Sequence, residues 1–303
     1  MKILILGGTG YIGSNLTDEL LKQHHDIRVL VRDRSKVTLT NIEIVEGDAC
    51  SVNSVREAMS GVDIVYYLIH SMSSTGKEFA DTDKQIAENV ATLAKELNVK
   101  RIIYLGALGS KEQVTSEHLK SRHQVAEILK SSQVPVTEFR AAVVVGNGSI
   151  SFEMIKYLVN RLPVMICPNW IHLKTQPVFI QDILYYLTAA LDVPGSENKS
   201  IDVGGRDILS YLDMMKIVAD KLKLRRYFIS VPVLTPKLSS HWVKLVTPIS
   251  APLAESLIES VRSQTICENN LAAELFQHHP KSFTEAVEIS LLHENMPSES
   301  VAI

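Results

Sequence analysis

The sequence predicts an α/β protein: a doubly wound parallel sheet with a smaller, mostly helical C-terminal lobe. Three observations predict it. The chain opens on a strand-forming apolar run, Lys2-Ile3-Leu4-Ile5-Leu6, that stops at glycines spaced G-x-x-G-x-x-G. Strand-like and helix-like patterns then alternate through the first half, which implies parallel strands, right-handed crossovers and helices on both faces. After about residue 148 that regularity is lost.

The first element carries the most information. Gly7 and Gly10 permit a tight strand-to-helix turn and let backbone approach a pyrophosphate with no side chain in the way. Gly13 lets the following helix lie close, and the helix N-terminus offers free N–H groups to phosphate charge. That helix begins near Tyr11 and places Leu16, Leu20 and Leu21 on one face. A glycine turn of purely structural use is the alternative, but its place between a buried-type strand and an amphipathic helix favours dinucleotide binding.

Further strands read at Ile27–Val31, Ile42–Glu46, Ile64–Ile69, Arg101–Leu105 and Val136–Phe139, with helices clearest at Glu78–Leu97 and Ser116–Leu129. Ligands of such sheets bind at the carboxyl ends of the strands, where strand order reverses. Gly7–Gly13, Arg32, Asp48, His70 and Gly106–Gly109 are expected there. In the second half Ser149–Asn160 reads as helix, followed by a loop carrying Pro163, Pro168, Trp170 and Pro177. Gln181–Leu191 is helix-like, Lys199–Val203 strand-like and Leu209–Leu222 an amphipathic helix; the last hundred residues read as mostly helical with proline breaks. The expected organisation is a nucleotide-binding lobe over 1–148, rejoined by 176–204, with the rest of 149–303 as a substrate or cap lobe.

Composition narrows the function classes. Apolar content of 46% with 21% charged residues is ordinary for a globular protein. A net charge of -3 gives no general attraction to nucleic acid. Cys50, Cys167 and Cys267 are far apart and lack C-x-x-C spacing, so a reducing cytoplasm is the expected location. The N-terminus shows no signal-peptide pattern. No segment reaches the roughly 18 uninterrupted apolar residues of a membrane span. Tyr227 to Ile258 comes nearest but is interrupted by prolines and lysines; folded packing is expected there, with a membrane-surface role as the alternative. The ten histidines show no metal spacing, and His24-His25 and His278-His279 sit at turns. The tail after Pro297 is expected to fray.

With these motifs placed, the chain resembles the extended and atypical short-chain dehydrogenases/reductases over nearly its whole length. Gly7–Gly13 matches their glycine signature. Glu46-Gly47-Asp48 matches the G-D after the third strand, where the Asp approaches adenine. Phe139-Arg140 with Gly146-Asn147-Gly148, Val178–Ile183 and Asp202-Val203-Gly204-Gly205 match three later segments. Within the superfamily it is similar to the atypical group related to nitrogen-regulator-type NAD(P)-binding proteins and a complex I accessory subunit, through Tyr67–Met72, Leu119–Arg122 and Arg161–Met165. The resemblance implies a Rossmann fold. It also implies a cofactor lined by Gly7, Thr9, Gly10, Tyr11, Ile12, Gly13, Arg32, Asp48, Ala49, Leu68, Ile69, His70, Gly106 and Arg122.

NAD-preferring relatives end the second strand with an acidic residue on the ribose hydroxyls. Here that position is Val31, followed by Arg32, with Arg34 beyond. A guanidinium can pair bidentately with a ribose 2′-phosphate, so NADP(H) is the expected cofactor and NAD(H) the alternative. Asp33 complicates this, since it could turn inward to the ribose.

The catalytic position is altered. Superfamily members carry Y-x-x-x-K on the helix after the fifth-strand loop, with a Ser or Thr at the end of that strand. Here the strand ends Tyr104-Leu105-Gly106-Ala107-Leu108-Gly109, with Ser110 a distant candidate, and the helix carries His118-Leu119-Lys120-Ser121-Arg122. His118 and Arg122 share a helix face. His118 is expected to give a proton and Arg122 to hold the nicotinamide ribose; a solvated helix face or a purely cofactor-binding site are the alternatives. Loss of the Tyr–Ser pair disfavours alcohol–ketone and sugar-nucleotide epimerase chemistry. It suits a quinone or enone, whose reduction leaves a stabilised oxyanion. The expected function is NADP(H)-dependent hydride transfer to a small or planar electrophile; the alternative is a non-catalytic NADP(H)-binding redox sensor or assembly protein.

Two polar residues near the site have packing as their simpler role. His70 reads as a packing residue before a catalyst, and Asn89 as structural before a proton relay. The expected substrate cleft comprises Ala107, Phe152, Met165, Trp170 and His172, which equally suit a core. Substrate and oligomeric state are not legible, and no nucleic acid or transmembrane segment is expected.

Overall fold

In the computed structural model, residues 1–70, 77–109, 116–231, 257, 259 and 263–295 are described. Ser71 and Met72, Ser110, most of Tyr227–Ile258 and the tail after Pro297 fall wholly or largely outside them. The chain divides into two compact units: Met1–Ala141 with Ile183–Val203 and Cys267–His278, and Ala142–Asp182 with Gly204–Ile266 and His279–Ile303.

The first unit is built on a seven-stranded sheet of β1 (Lys2–Leu6), β2 (Asp26–Val31), β3 (Glu43–Glu46), β4 (Ile64–Tyr67), β5 (Arg101–Ala107), β6 (Val136–Ala141) and β11 (Ser200–Val203). The order is β11-β6-β5-β4-β1-β2-β3, and every neighbouring pair is parallel. The order reverses between β1 and β4. Ile3, Leu4, Ile5 and Leu6 have no exposed surface, as expected for a central strand covered on both faces. Helices α1 (Tyr11–Lys22), α2 (Val52–Met59), α3 (Lys77–Glu96) and α4 (Glu117–Lys130) connect the strands. α1 ends where His24 takes φ 60 and the His25 N–H returns to the Leu20 carbonyl, a left-handed stop before β2. Val55, Met59, Val90, Leu93, Leu129 and Tyr104 belong to the core between sheet and helices. Tyr66 Oη donates to the Leu187 carbonyl at 2.8 Å.

The second unit contains β7 (Val144–Val145), α5 (Ile150–Arg161), β8 (Val164–Pro168), β9 (Lys174–Thr175), β10 (Val178–Phe179), β12 (Leu209–Ser210), α7 (Tyr211–Lys221), β13 (Tyr227–Val231) and α9 (Phe283–Asn295). Helix α6 (Ile180–Ala189) begins here and runs into the first unit, which also holds the short α8 (Leu271–Leu275). Ser210 and Asp213 form a capping box that starts α7 two residues later than the periodic pattern suggested. The expected proline-rich loop instead contains β8, which pairs in parallel with β13. Two structural reasons hid them: prolines flank both, and their outward positions are apolar, so neither strand alternates.

Candidate functional site

The carboxyl ends of β1, β2, β3, β4 and β5 converge where the strand order reverses. Gly7 takes φ +88, and a Cβ there would lie 2.8 Å from the Leu68 carbonyl carbon and oxygen. The ends of β1 and β4 therefore approach with room for hydrogen only. A Cβ on Gly13 would stand 2.2 Å from the Gly7 carbonyl oxygen and 2.8 Å from the Gly8 Cα, so the helix packs directly on the turn. Gly10 differs from its expected role: its φ of −78 suits any residue, and it serves as N-cap of α1 while its N–H donates to the Gly7 carbonyl at 3.0 Å. Thr9 and Gly10 are exposed, Tyr11 and Ile12 half-buried, and the first turn of α1 has no acidic residue. This is a backbone cradle that a side chain would fill, opening on a helix N-terminus favourable to anions, and it fits a dinucleotide phosphate.

Beside it lies an open depression of about 300 Å³ including its mouth, lined by Gly8, Thr9, Ser14, Val29, Val37, Thr38 and Leu39. Arg32, exposed after β2, makes no hydrogen bond or ion pair among the described residues. Asp33 Oδ1 accepts from the Ser35 N–H at 3.0 Å and the Ser35 hydroxyl at 2.6 Å, capping a single helical turn over Arg34–Lys36. That commitment accounts for one oxygen of the acidic group that competed with Arg32. Asp48 is exposed and accepts from the Cys50 N–H at 2.8 Å; Ala49 is buried. Asn89 Nδ2 donates to the Ala49 and Cys50 carbonyls at 3.1 and 3.0 Å, the structural role expected of it.

Around the altered catalytic position the structure assembles groups far apart in sequence. His118 and His70 stack with ring centroids 4.4 Å apart and planes 10° apart. His70, expected as a packing residue, thus packs on the proposed proton donor. Burial, then the Arg122 charge, lower the His118 pKa to about 4. His70 keeps an exposed face, while desolvation on its packed side, then Arg122, then His118 hold its pKa well below 6.5. Both imidazoles are neutral at neutral pH, so His118 carries an N–H to donate but is no imidazolium acid there.

Arg122 is not on a solvated face: it is 4% exposed. Its Nη1 donates to the Ile69 carbonyl and its Nη2 to Asp83 Oδ2, both at 3.1 Å. Burial opposes its charge, but Tyr104, Asp83 and Tyr67 outweigh that and raise its pKa. Asp83 also accepts from the Ser121 hydroxyl at 3.1 Å and has no exposed surface. Tyr104 Oη donates to the Arg122 carbonyl at 3.0 Å, and its ring meets Tyr67 edge-on at 5.7 Å. Burial raises both phenols far above their ordinary pKa, so neither replaces the missing Tyr as a base. Among the described residues Tyr67 Oη, Asp83 Oδ1 and Arg122 Nε have no hydrogen-bond partner. Asp83 is the residue that reading the sequence missed. It occupies the apolar stripe of α3 with Ile86, Ala87 and Val90, and a charge on such a stripe demands a buried partner.

Gly106 and Ala107 end β5, with Gly106 against the Tyr104 ring. In the second unit Phe152 and Met165 are 0% and 4% exposed: they are core there and offer a ligand no surface. The reason is that α5 and β8 turn these side chains inward. Trp170 is half-buried, its Nε1 without a partner among the described residues, and His172 is exposed, 3.4 Å from the Ser230 hydroxyl. Among the described residues no group of three or more His, Cys, Asp or Glu is placed to hold a metal, and no helix is long and apolar enough to cross a membrane.

Comparisons with known proteins agree with this fold. Residues 7–153 match the NAD(P)H-binding family. The photosystem II assembly factor Ycf39 of Trieres chinensis is 24% identical over 68% of this chain and 64% of its own length. Thus the match spans less than two-thirds of that relative. The structure of the NADPH-dependent quinone oxidoreductase QOR2 of Escherichia coli, in complex with NADPH, superposes with a TM-score of 0.75 at 17% identity, covering 95% of this chain and 99% of that one. Triphenylmethane reductase of Citrobacter sp. gives 0.78 at 16% identity, over 96% and 100%. At these identities the likeness shows a shared fold.

Proposed function

We propose that the protein, whose residues 7–153 match the NAD(P)H-binding family, is an NADP(H)-dependent reductase of planar, conjugated electrophiles such as quinones or enones. The observation that carries the reading is the neutral His70–His118 stack beside a buried, ion-paired Arg122, in the place of Y-x-x-x-K. When bound, a reduced nicotinamide supplies hydride. The overall reaction is quinone plus NADPH plus a proton to hydroquinone and NADP⁺, with the proton drawn from water.

In this reading Gly7–Gly13 and the start of α1 hold the diphosphate, and Arg32 holds the 2′-phosphate, helped by the engagement of Asp33 Oδ1 with Ser35. Asp48 and Ala49 flank the adenine. Leu68, Ile69, His70 and Gly106 flank the nicotinamide ribose. Arg122 acts on that ribose by holding the Ile69 carbonyl and so the loop after β4. A neutral His118 donates its N–H to an oxygen on which charge develops. That is sufficient where the product anion is delocalised, and weak where an isolated alkoxide must be protonated. The acceptor class is supported by two proteins of the same fold, one a quinone oxidoreductase and the other a triphenylmethane reductase.

A second reading is favoured by the match to the Ycf39 assembly factor: a cofactor-binding protein that assists assembly without turnover. Steady NADPH oxidation with a panel of quinones and enals separates the two. Turnover that falls in His118→Ala and Arg122→Ala is expected. NADPH binding with no turnover on any acceptor establishes the second reading instead. The cofactor assignment is tested by NADPH and NADH affinities of Arg32→Ala. Loss of NADPH preference is expected, and an unchanged preference removes Arg32 from the 2′-phosphate site.

A further inference from the structure

The second unit carries an exposed apolar face on its β8–β13 ladder. Along β8, Met165 and Cys167 turn inward, at 4% and 2% exposure, while Val164 and Ile166 turn outward at 45% and 50%. Along β13, Tyr227 and Ile229 are 67% and 51% exposed. The parallel register sets Tyr227 against Val164 and Ile229 against Ile166. Neighbouring strands lie about 4.8 Å apart, so these four side chains form one contiguous patch. A half-buried sheet facing water normally presents polar residues at such positions.

The charge leading into the patch is mostly basic, with the exposed Asp220 the acidic residue nearest to it in sequence. Segments 161–168 and 221–231 contain five basic residues, Arg161, Lys221, Lys223, Arg225 and Arg226, and no acidic residue, in a chain whose net charge is -3. Because the strands are parallel, Arg161 and Arg225–Arg226 lead into them at the same end of the ladder. Arg226 is tied down, its Nη2 donating to the Asn160 carbonyl at 3.0 Å at the C-terminus of α5, and Lys221 pairs with Glu288. Lys223 and Arg225 are exposed, with no hydrogen bond or ion pair from their side chains among the described residues.

We propose that this face docks on an anionic lipid surface: Val164, Ile166, Tyr227 and Ile229 enter the headgroup boundary while the basic edge contacts lipid phosphates. Apolar burial and attraction to anionic lipid reinforce each other at such an interface, and tyrosine suits it because its ring is apolar and its hydroxyl wet. A nucleic acid would match the cations but leave the isoleucines in water. The docking does not depend on the acceptor proposed above.

The test is co-sedimentation of the full chain with vesicles of phosphatidylcholine alone or mixed with phosphatidylglycerol. Binding to the mixed vesicles that added salt weakens is expected. Arg225→Gln should weaken it by about five-fold, the effect of one basic residue at such a surface. Ile166→Glu and Ile229→Glu should each abolish it while leaving NADPH affinity and thermal melting unchanged, since both positions are exposed. Failure to bind either vesicle overturns the proposal, as does binding that Ile166→Glu leaves intact. A lipid-free dimer that Ile166→Glu dissociates also overturns it, by making a second copy the occupant. Quinone reduction measured with water-soluble acceptors reads the enzymatic proposal separately.

Discussion

Asp83→Ala is the most incisive perturbation of the site. Asp83 and Arg122 are 0% and 4% exposed, and their closest nitrogen–oxygen distance is 3.1 Å. At an effective dielectric of about 20, unit charges at that separation attract by about 5 kcal/mol before desolvation is counted. Removing only the carboxylate leaves the guanidinium buried and uncompensated, a loss of about 3–5 kcal/mol. For a protein of this size that corresponds to a fall in Tm on the order of 10 °C. Urea unfolding followed by circular dichroism reads the free energy. Asp83→Asn, which can still accept from Ser121, should lose less. The double variant Asp83→Leu/Arg122→Met, which removes both charges, should return to within about 1 kcal/mol of the wild type. The reasoning is refuted if Asp83→Ala changes stability by less than about 0.5 kcal/mol, as a surface change would. It is equally refuted if the double variant is simply additive.

Two further outcomes follow from the site. His118 titrates near 4 when folded and near 6.5 when unfolded, and His70 shifts in the same direction. The unfolded chain therefore binds more protons between those values, so stability falls as pH drops from about 6.5 towards 4 and levels off below. His118→Leu should flatten this part of the stability profile, and an unflattened profile assigns the dependence to other groups. Gly13→Ala sets a methyl 2.2 Å from the Gly7 carbonyl oxygen. The helix propensity gain of about 1 kcal/mol is outweighed because backbone surrounds the methyl. Unfolding measurements should show a loss of about 1–3 kcal/mol, with weakened NADPH binding. A stabilised variant with normal affinity would show that the turn is looser than its geometry.

Much of the first unit was legible because its signals are local. β1 spans the residues its apolar run marked, and the glycine turn is read from the steric demands of residues within one turn of helix. The open strand ends at Arg32, Asp48, His70 and Gly106 follow from alternation alone, since parallel sheets present those ends together. In the second unit local signals mislead: β8 and β13 lack alternation, and Phe152 and Met165 are aromatic or thioether side chains as suited to a core as to a ligand.

The sequence by itself determined the α/β class, the glycine turn after β1 and the absence of Y-x-x-x-K, because periodicity and glycine sterics act over a few residues. Only the tertiary structure decided which side chains gather around His118 and Arg122 at that position. Residues 70 and 118 meet because β4 and α4 converge beyond the sheet edge where strand order reverses. Asp83 finds Arg122 because α3 and α4 pack side by side, and a charge excluded from water must be met by another. Such pairings depend on how distant elements stack, and no local pattern encodes them.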